Sequence, residues 1–390
     1  MASYKYLIIG AGMTADSAVR GIRELDADGT IGLIGNDPNP PYNRPSLSKG
    51  LWKGKSLDKI WRRTQELSVD LHIGRTARSI DQENKVVRDD QGADYKYERL
   101  LLATGGTPRK LPFDSEDIIY FRTLEDYQHL REMTNHGEHF GVIGGGFIGS
   151  EIAAALTMNG KKMTMLFPDA GIGTRIYPPE LSDYLNSFFR QKGVEILTGV
   201  HVNGLEKLNS SYQLVTAEGK KVVVDGVIAG IGILPNVELA QAAGLKVGNG
   251  IVVDDTLHTS HPDIFAAGDV AEFYYPILGK RLRIEHEDNA NSMGKQAGRN
   301  MASANEPYNH LSYFYSDLFE LGYEAAGELD SRLETFVDWK EQFKKGVVYY
   351  LLGGRVRGVL LWNVWDSVPK ARALIAEPGP YTAADLKGRL

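Results

Sequence analysis

The 390-residue chain contains no cysteine. That absence excludes a disulfide framework, a redox dithiol, a cysteine nucleophile and a peroxidatic thiol, and with them any zinc or iron–sulfur site held by thiolates. No run approaches the ~18 apolar residues of a membrane-spanning helix. The excess of acidic over basic residues is small as well. Lys and Arg number 44 against 50 Asp and Glu, a net charge of -6, so broad electrostatic binding to nucleic acid or anionic lipid is not expected. The chain enters a strand at once, Tyr4 to Ile9, without a basic region, long apolar segment or cleavage site. A cytoplasmic protein without a secretory signal is therefore expected. There is no low-complexity tract and no short repeat. At roughly 150 residues per domain the length suggests two or three domains.

Glycine, by contrast, is abundant: 43 residues, well above the usual ~7%. The glycines cluster as tight turns would. Tyr6-Leu7-Ile8-Ile9 runs into Gly10-Ala11-Gly12-Met13-Thr14-Ala15 and then a helical stretch from Asp16 to about Leu25, with a strand Ile31 to Ile34 after it. This is the form of a βαβ dinucleotide site. Its glycines let the backbone approach a pyrophosphate, and the helix N-terminus offers N–H donors and partial positive charge. Phe140-Gly141-Val142-Ile143 leads into a second copy, Gly144-Gly145-Gly146-Phe147-Ile148-Gly149, followed by a helix to about Asn159 and a strand Lys162 to Phe167. One such motif is weak evidence; two in matching contexts point to two dinucleotides on two Rossmann-type domains.

Two apolar strands end in small-residue turns, Leu100 to Gly106 through Ala103-Thr104-Gly105, and Asp263 to Asp269 through Gly268. Ligands lie beyond the carboxyl ends of parallel strands, which places both turns to touch a cofactor. The final stretch changes character. Strands are expected at 323–329, 335–339, 347–352 and 355–362, with Gly353-Gly354 as a two-residue hairpin and a helix from Asp366 to about Ala376.

Two glycine motifs, the Ala103-Thr104-Gly105 turn and the late Gly268-Asp269 together resemble the FAD- and NAD(P)H-dependent two-dinucleotide flavoproteins. The segment Pro41-Tyr42-Asn43-Arg44-Pro45-Ser46-Leu47-Ser48-Lys49 is similar to that of ferredoxin reductases serving oxygenase systems and of the apoptosis-inducing factors. Tyr313-Phe314-Tyr315-Ser316-Asp317, Gly322-Tyr323-Glu324-Ala325, Gly358 to Asn363 and Ile284-Glu285-His286 resemble the apoptosis-inducing factors more closely. The resemblance covers essentially the whole chain. It implies an α/β fold of the glutathione-reductase type: two Rossmann-like domains plus a C-terminal α+β interface domain. Residues 1–111 and 236–310 would form a split FAD domain, 112–235 the NAD domain and 311–390 the interface domain.

Site residues follow. Gly10, Gly12 and Ala15 would hold the FAD pyrophosphate, with Met13 and Thr14 in the same turn. The acidic residue that usually binds the adenosine ribose falls on Asn36, with Asp37 beside it as a substitute. Gly144, Gly146, Ile148 and Gly149 would bind the nicotinamide nucleotide. Asp169, after the next strand, would accept from a ribose hydroxyl and repel a 2′-phosphate, which favours NADH; Arg175 is the counter-signal for NADPH. The resemblance implies that Lys49 reaches the flavin and is tied to Glu151 at the start of the NAD helix. A buried ammonium needs such a partner. Phe147 would be a flap that nicotinamide displaces, although helix–sheet packing explains it too. Arg44 and Arg109 resemble arginines near the FAD. Ala77, Ala103, Thr104, Gly105, Gly230, Gly268 and Asp269 complete the cofactor set, Tyr315 replaces a tryptophan, and Glu285 and His286 would lie at the flavin. No metal is expected, because Ala290 stands where His-Glu-x-x-His needs its second histidine.

The resulting expectation is an NADH-dependent FAD flavoprotein that reduces a small ferredoxin. Without cysteine, the dithiol chemistry of the glutathione, lipoamide and thioredoxin reductases is excluded. Two alternatives remain open. One is a redox-sensing interaction protein like the apoptosis-inducing factors, with a homodimer in view. The other is a quinone or monodehydroascorbate reductase.

Overall fold

A computed structural model describes residues 1–390, which sort into two compact units. The first comprises Met1–Arg44, Ser56–Thr107 and Leu234–Ser312. Its main sheet is seven-stranded. Ala2–Ile9 lies between Ile31–Gly35 and Asp94–Leu102, parallel to both, and Ile264–Ala266 adds in parallel to Asp94–Leu102. Leu7, Ile8, Leu33, Ile34 and Leu100–Leu102 are fully buried. They are the near-continuous apolar runs that a sheet covered on both faces requires. The glycine helix Met13–Arg23 packs on the helix Glu287–Met301. A Cβ at Gly294 would lie 2.4 Å from the Thr14 carbonyl oxygen, and one at Gly298 would lie 2.0 Å from that of Ala18. The helices meet backbone to backbone because those positions have no side chain.

The second unit comprises Pro45–Lys55, Pro108–Ile233 and Tyr313–Leu390. Its parallel sheet runs in the order Val194–Thr198, Lys162–Phe167, His139–Ile143, Gly226–Ala229, Ile118–Ile119. The C-terminal residues form a separate five-stranded sheet, in the order Tyr313–Leu318, Leu321–Gly327, Arg355–Trp362, Lys345–Leu352, Glu334–Glu341. Every pairing in it is antiparallel, and the helix Val368–Ala376 covers it. The strand Tyr313–Leu318 was not among the expected strands. Its sequence, Tyr-Phe-Tyr-Ser-Asp-Leu, puts three aromatics before two polar residues and so lacks the period-two alternation that announces a strand.

Residues 45–55, expected within the first segment, pack in the second unit. The reason is local: the Asn159 amide donates to the Trp52 carbonyl at 3.1 Å, the Trp52 ring meets Tyr127 edge-on at 5.3 Å, and Arg131 lies over it. No helix is long and apolar enough to cross a membrane.

Candidate cofactor-binding sites

In the first unit the chain leaves the strand Ala2–Ile9 at Gly10, whose φ is +118°. A Cβ there would stand 2.1 Å from the Ala103 carbonyl oxygen, so only glycine lets the turn close on the Ala103-Thr104-Gly105 segment. Gly12 caps the helix, and a Cβ on it would meet nothing within 4 Å. One side of the turn is therefore sealed and the other open, where the first helical N–H groups point. That is a cradle for a diphosphate. Ala15 is fully buried at the helix–sheet contact, while Met13 and Thr14 open the helix. A Cβ on Gly268 would lie 2.2 Å from the Thr14 hydroxyl oxygen, which places the late Gly268-Asp269 turn against the same helix end. The Arg44 Nε is buried and has no hydrogen-bond partner. An orphaned guanidinium nitrogen in the unit that holds this cradle fits a ligand with phosphate oxygens.

Other expected residues have different commitments. The Thr104 hydroxyl donates to the Asn236 carbonyl at 2.7 Å, and the Asn236 amide returns a bond to the Thr104 carbonyl at 2.9 Å. This pair ties Thr104 and Asn236, which stand 132 residues apart in sequence. The Asp37 carboxylate accepts from the Asn39 N–H at 2.9 Å and from the Tyr42 hydroxyl at 3.0 Å, so it shapes its own loop and leaves Asn36 at the strand end. Ala77 opens the strand Ala77–Asp81. Glu285 is paired with Arg283 at 2.5 Å, and the Arg283 guanidinium also donates to the Asp269 carbonyl at 2.9 Å. His286 caps the helix Glu287–Met301. Desolvation holds its imidazole down to about 4, against the opposing charges of Asp269 and Asp288, so the ring is neutral near pH 7. No group of three His, Cys, Asp or Glu side chains could hold a metal.

One buried carboxylate escaped the sequence reading. Asp16, in the first turn of the glycine helix, is wholly inaccessible. It accepts from Arg20 at 2.9 Å, Arg62 at 2.7 Å and the Thr64 hydroxyl at 2.7 Å. Burial alone would raise its pKa; the Arg20 hydrogen bond, the Arg62 charge and the Thr64 hydroxyl outweigh burial and hold it below the usual range. The local sequence offers only Arg20, one turn on in the same helix, as a partner; Arg62 and Thr64 come from a distant segment.

In the second unit Gly144, at φ +114°, leaves the strand His139–Ile143. A Cβ there would lie 2.4 Å from the Gly230 carbonyl oxygen, and one on Gly149 would lie 2.1 Å from that of Gly144. A Cβ on Gly146 would meet nothing nearer than the Gly230 carbonyl oxygen at 4.0 Å. The pattern repeats that of the first turn, and it fits a second dinucleotide. Ile148 lies in the first turn of the helix Phe147–Met158. Asp169, two residues past the strand Lys162–Phe167, accepts the Gly199 N–H through its carbonyl, and its half-exposed carboxylate has no protein partner. Arg175 is exposed, and its carbonyl accepts from the Ser331 N–H at 3.0 Å. Arg109 is exposed and bonds the Gly232 carbonyl through its N–H.

The helix Phe147–Met158 also carries Glu151, which is 3% exposed. One carboxylate oxygen accepts from the Lys49 ammonium at 2.7 Å and the Ser48 hydroxyl at 2.6 Å. The other accepts from the Ser316 hydroxyl at 2.6 Å. Lys49 lies 5.2 Å from the centre of the Tyr315 ring. Phe147, 38% exposed, meets Phe314 edge-on at 5.4 Å. Behind Ser316, Tyr177 and Tyr323 stand edge-on at 5.8 Å, and burial pushes both phenols up so that they stay protonated. Sequence reasoning paired Lys49 with Glu151 but missed both serines, although each lies inside a stretch singled out for its resemblance.

Comparison with known proteins bears on both units. Residues 4–294 match the family described as pyridine nucleotide-disulphide oxidoreductase. Residues 297–340 and 337–377 match the C-terminal domain of mitochondrion-associated apoptosis-inducing factor. The ferredoxin–NAD(+) reductase component of the anthranilate 1,2-dioxygenase system of Burkholderia cepacia is 33% identical, over 99% of this chain and 98% of that one. Apoptosis-inducing factor 1 of Dictyostelium discoideum is 33% identical over 95% of this chain and 78% of its own length. Among solved structures, the reductase chain of a covalent putidaredoxin reductase–putidaredoxin complex superposes with a TM-score of 0.90 at 31% identity, covering 97% of this chain and 94% of that one.

Proposed function

The chain belongs to the pyridine nucleotide-disulphide oxidoreductase family, and from that premise we propose that it is an NADH-dependent flavoprotein reductase that passes electrons to a small ferredoxin. FAD and NADH are its cofactors. Bound FAD supplies the chemistry, taking two electrons from NADH and releasing them singly to a one-electron carrier. The observation that carries the reading is the full-length likeness to a ferredoxin–NAD(+) reductase in a chain with no cysteine. With no thiol to relay electrons, the acceptor is external.

The side chains then divide the work. Gly10, Gly12 and the helix end beyond them hold the FAD diphosphate, with Arg44 on phosphate oxygens. Gly144, Gly146 and Gly149 hold the NADH diphosphate. The free Asp169 carboxylate accepts from the adenosine ribose and disfavours a 2′-phosphate. Lys49 places a positive charge whose direction Glu151 fixes. Phe147 shields the nicotinamide position from water until NADH arrives. Neutral His286, at a helix N-terminus, lets the helix end rather than an imidazolium offer positive potential. Residues 1–111 and 236–310 serve FAD, except that 45–55 pack with the 112–235 NAD domain; 311–390 are the interface domain. A cytoplasmic location is part of the proposal, since NADH is an intracellular donor.

The test is acceptor-dependent turnover. With NADH and cytochrome c, addition of an oxygenase-type ferredoxin is expected to raise cytochrome reduction at least tenfold. A rate that ferredoxin leaves unchanged removes the proposal. The match of residues 297–340 and 337–377 to the C-terminal domain of apoptosis-inducing factor favours a second reading, an NADH-responsive sensor. That reading expects slow turnover, a long-lived flavin–NAD charge-transfer band and NADH-dependent dimerisation. Quinones and monodehydroascorbate belong in the same acceptor panel.

A further inference from the structure

Glu151 is held asymmetrically. Lys49 and Ser48, neighbours in sequence, both donate to one carboxylate oxygen. The other oxygen has a single donor, the Ser316 hydroxyl, supplied by the C-terminal strand Tyr313–Leu318 across 165 residues of sequence. Ser316 is 1% exposed and Glu151 is 3% exposed, so water cannot replace a lost donor. The terminal torsion of a glutamate is soft. Two donors on one oxygen fix a point but leave the carboxylate plane free to swing about it. A third donor on the far oxygen fixes the plane, and with it the direction from which Lys49 is held.

We propose that Ser316 is a positioning residue: its hydroxyl locks the Glu151 carboxylate plane, and through it the aim of the Lys49 ammonium, so that the C-terminal sheet sets the geometry of hydride acceptance. This rests on the reading of Lys49 as acting at the flavin. Loss of the donor leaves a buried carboxylate oxygen unpaired, and Glu151 then turns toward other partners.

The test uses the FAD-loaded protein. Stopped-flow reduction by NADH is measured for Ser316→Ala, for Glu151→Gln and for the double variant. In parallel, competitive acetylation read by mass spectrometry compares Lys49 with Lys53 and Lys192. Those two lysines pair with Asp317 and Glu320 on and beside the same strand, so they report general loosening. The expected result for Ser316→Ala is a limiting rate lowered by about tenfold with an unchanged NADH dissociation constant, as a misaimed group at the reacting centre predicts. Lys49 acetylation should rise severalfold while Lys53 and Lys192 hold steady. In the Glu151→Gln background, Ser316→Ala should cost nothing further. Unchanged rate and labelling, an equal loss in both backgrounds, or a common rise at all three lysines would each overturn the role. Lys49→Met separates the two claims: reduction as fast as in the unaltered protein would sink the reading of Lys49 itself, whatever the labelling shows.

Discussion

The two glycine turns repeat one geometry, yet they spend their acidic residue differently. Both helices carry a buried carboxylate in the turns that follow the motif, Asp16 in one and Glu151 in the other. Asp16 is gripped by two guanidinium groups and a threonine hydroxyl. Guanidinium never loses its charge and offers a rigid fork, so this arrangement clamps the Arg62 segment to the helix. Glu151 is gripped by two serine hydroxyls and one ammonium that is 13% exposed. Hydroxyls rotate, and a lysine is a point charge on a flexible stem. On the role proposed above for Lys49, that arrangement aims a flexible cation. Fold position therefore does not decide whether a buried carboxylate is mortar or machinery; its partners do.

The contrast can be broken most sharply at Asp16. Asp16→Ala leaves Arg62, whose side chain is 12% exposed, without its counter-charge. A loss of about 3 kcal/mol is expected, seen as a lowered denaturation midpoint, with NADH affinity in the folded fraction unchanged. A loss below about 1 kcal/mol would show that the clamp is ornamental. The turns differ again in the acidic position beyond the second strand. Asp37 is consumed by Asn39 and Tyr42, whereas Asp169 is free. Asp169→Ser should lower the NADH over NADPH preference by about tenfold, or ~1.4 kcal/mol, read as a ratio of kcat/KM values. The corresponding Asp37→Ser change should leave that ratio alone.

A third effect, confined to acid pH, concerns His286. Its folded pKa, about 4, lies below its ordinary 6.5, so below pH 6.5 the unfolded chain takes up the proton first. Its stabilising effect is complete above that pH and is lost as pH falls toward about 4. At about pH 5 the difference is on the order of 1 to 2 kcal/mol. His286→Gln should flatten this part of the Tm–pH curve of the apoprotein; an unaltered curve would assign the acid sensitivity elsewhere.

Much of this architecture was legible because it is written in short-range pattern. Apolar runs ending at Gly10 and Gly144, each followed by a helical stretch, announce parallel strands and crossover helices. The Gly353-Gly354 hairpin announces an antiparallel pair. The Lys49–Glu151 contact came from resemblance, since 102 residues separate the pair. Ser48 and Ser316 stayed invisible because a serine hydroxyl has no sequence signature at distances of 103 and 165 residues. Asp16 was passed over because carboxylates are common in the first turn of helices, where the dipole favours them; only burial distinguishes this one.

The side-chain-free seam between Met13–Arg23 and Glu287–Met301 has a temporal corollary. The first helix to leave the ribosome meets the Arg62–Thr64 segment early, but its helical mate and the strand Ile264–Ala266 are made only when some three-quarters of the polypeptide is complete. Residues 108–233 of the other unit are thus synthesised before the amino-terminal unit has all its parts, and a dinucleotide cradle that leans on Gly268 is complete only late in translation.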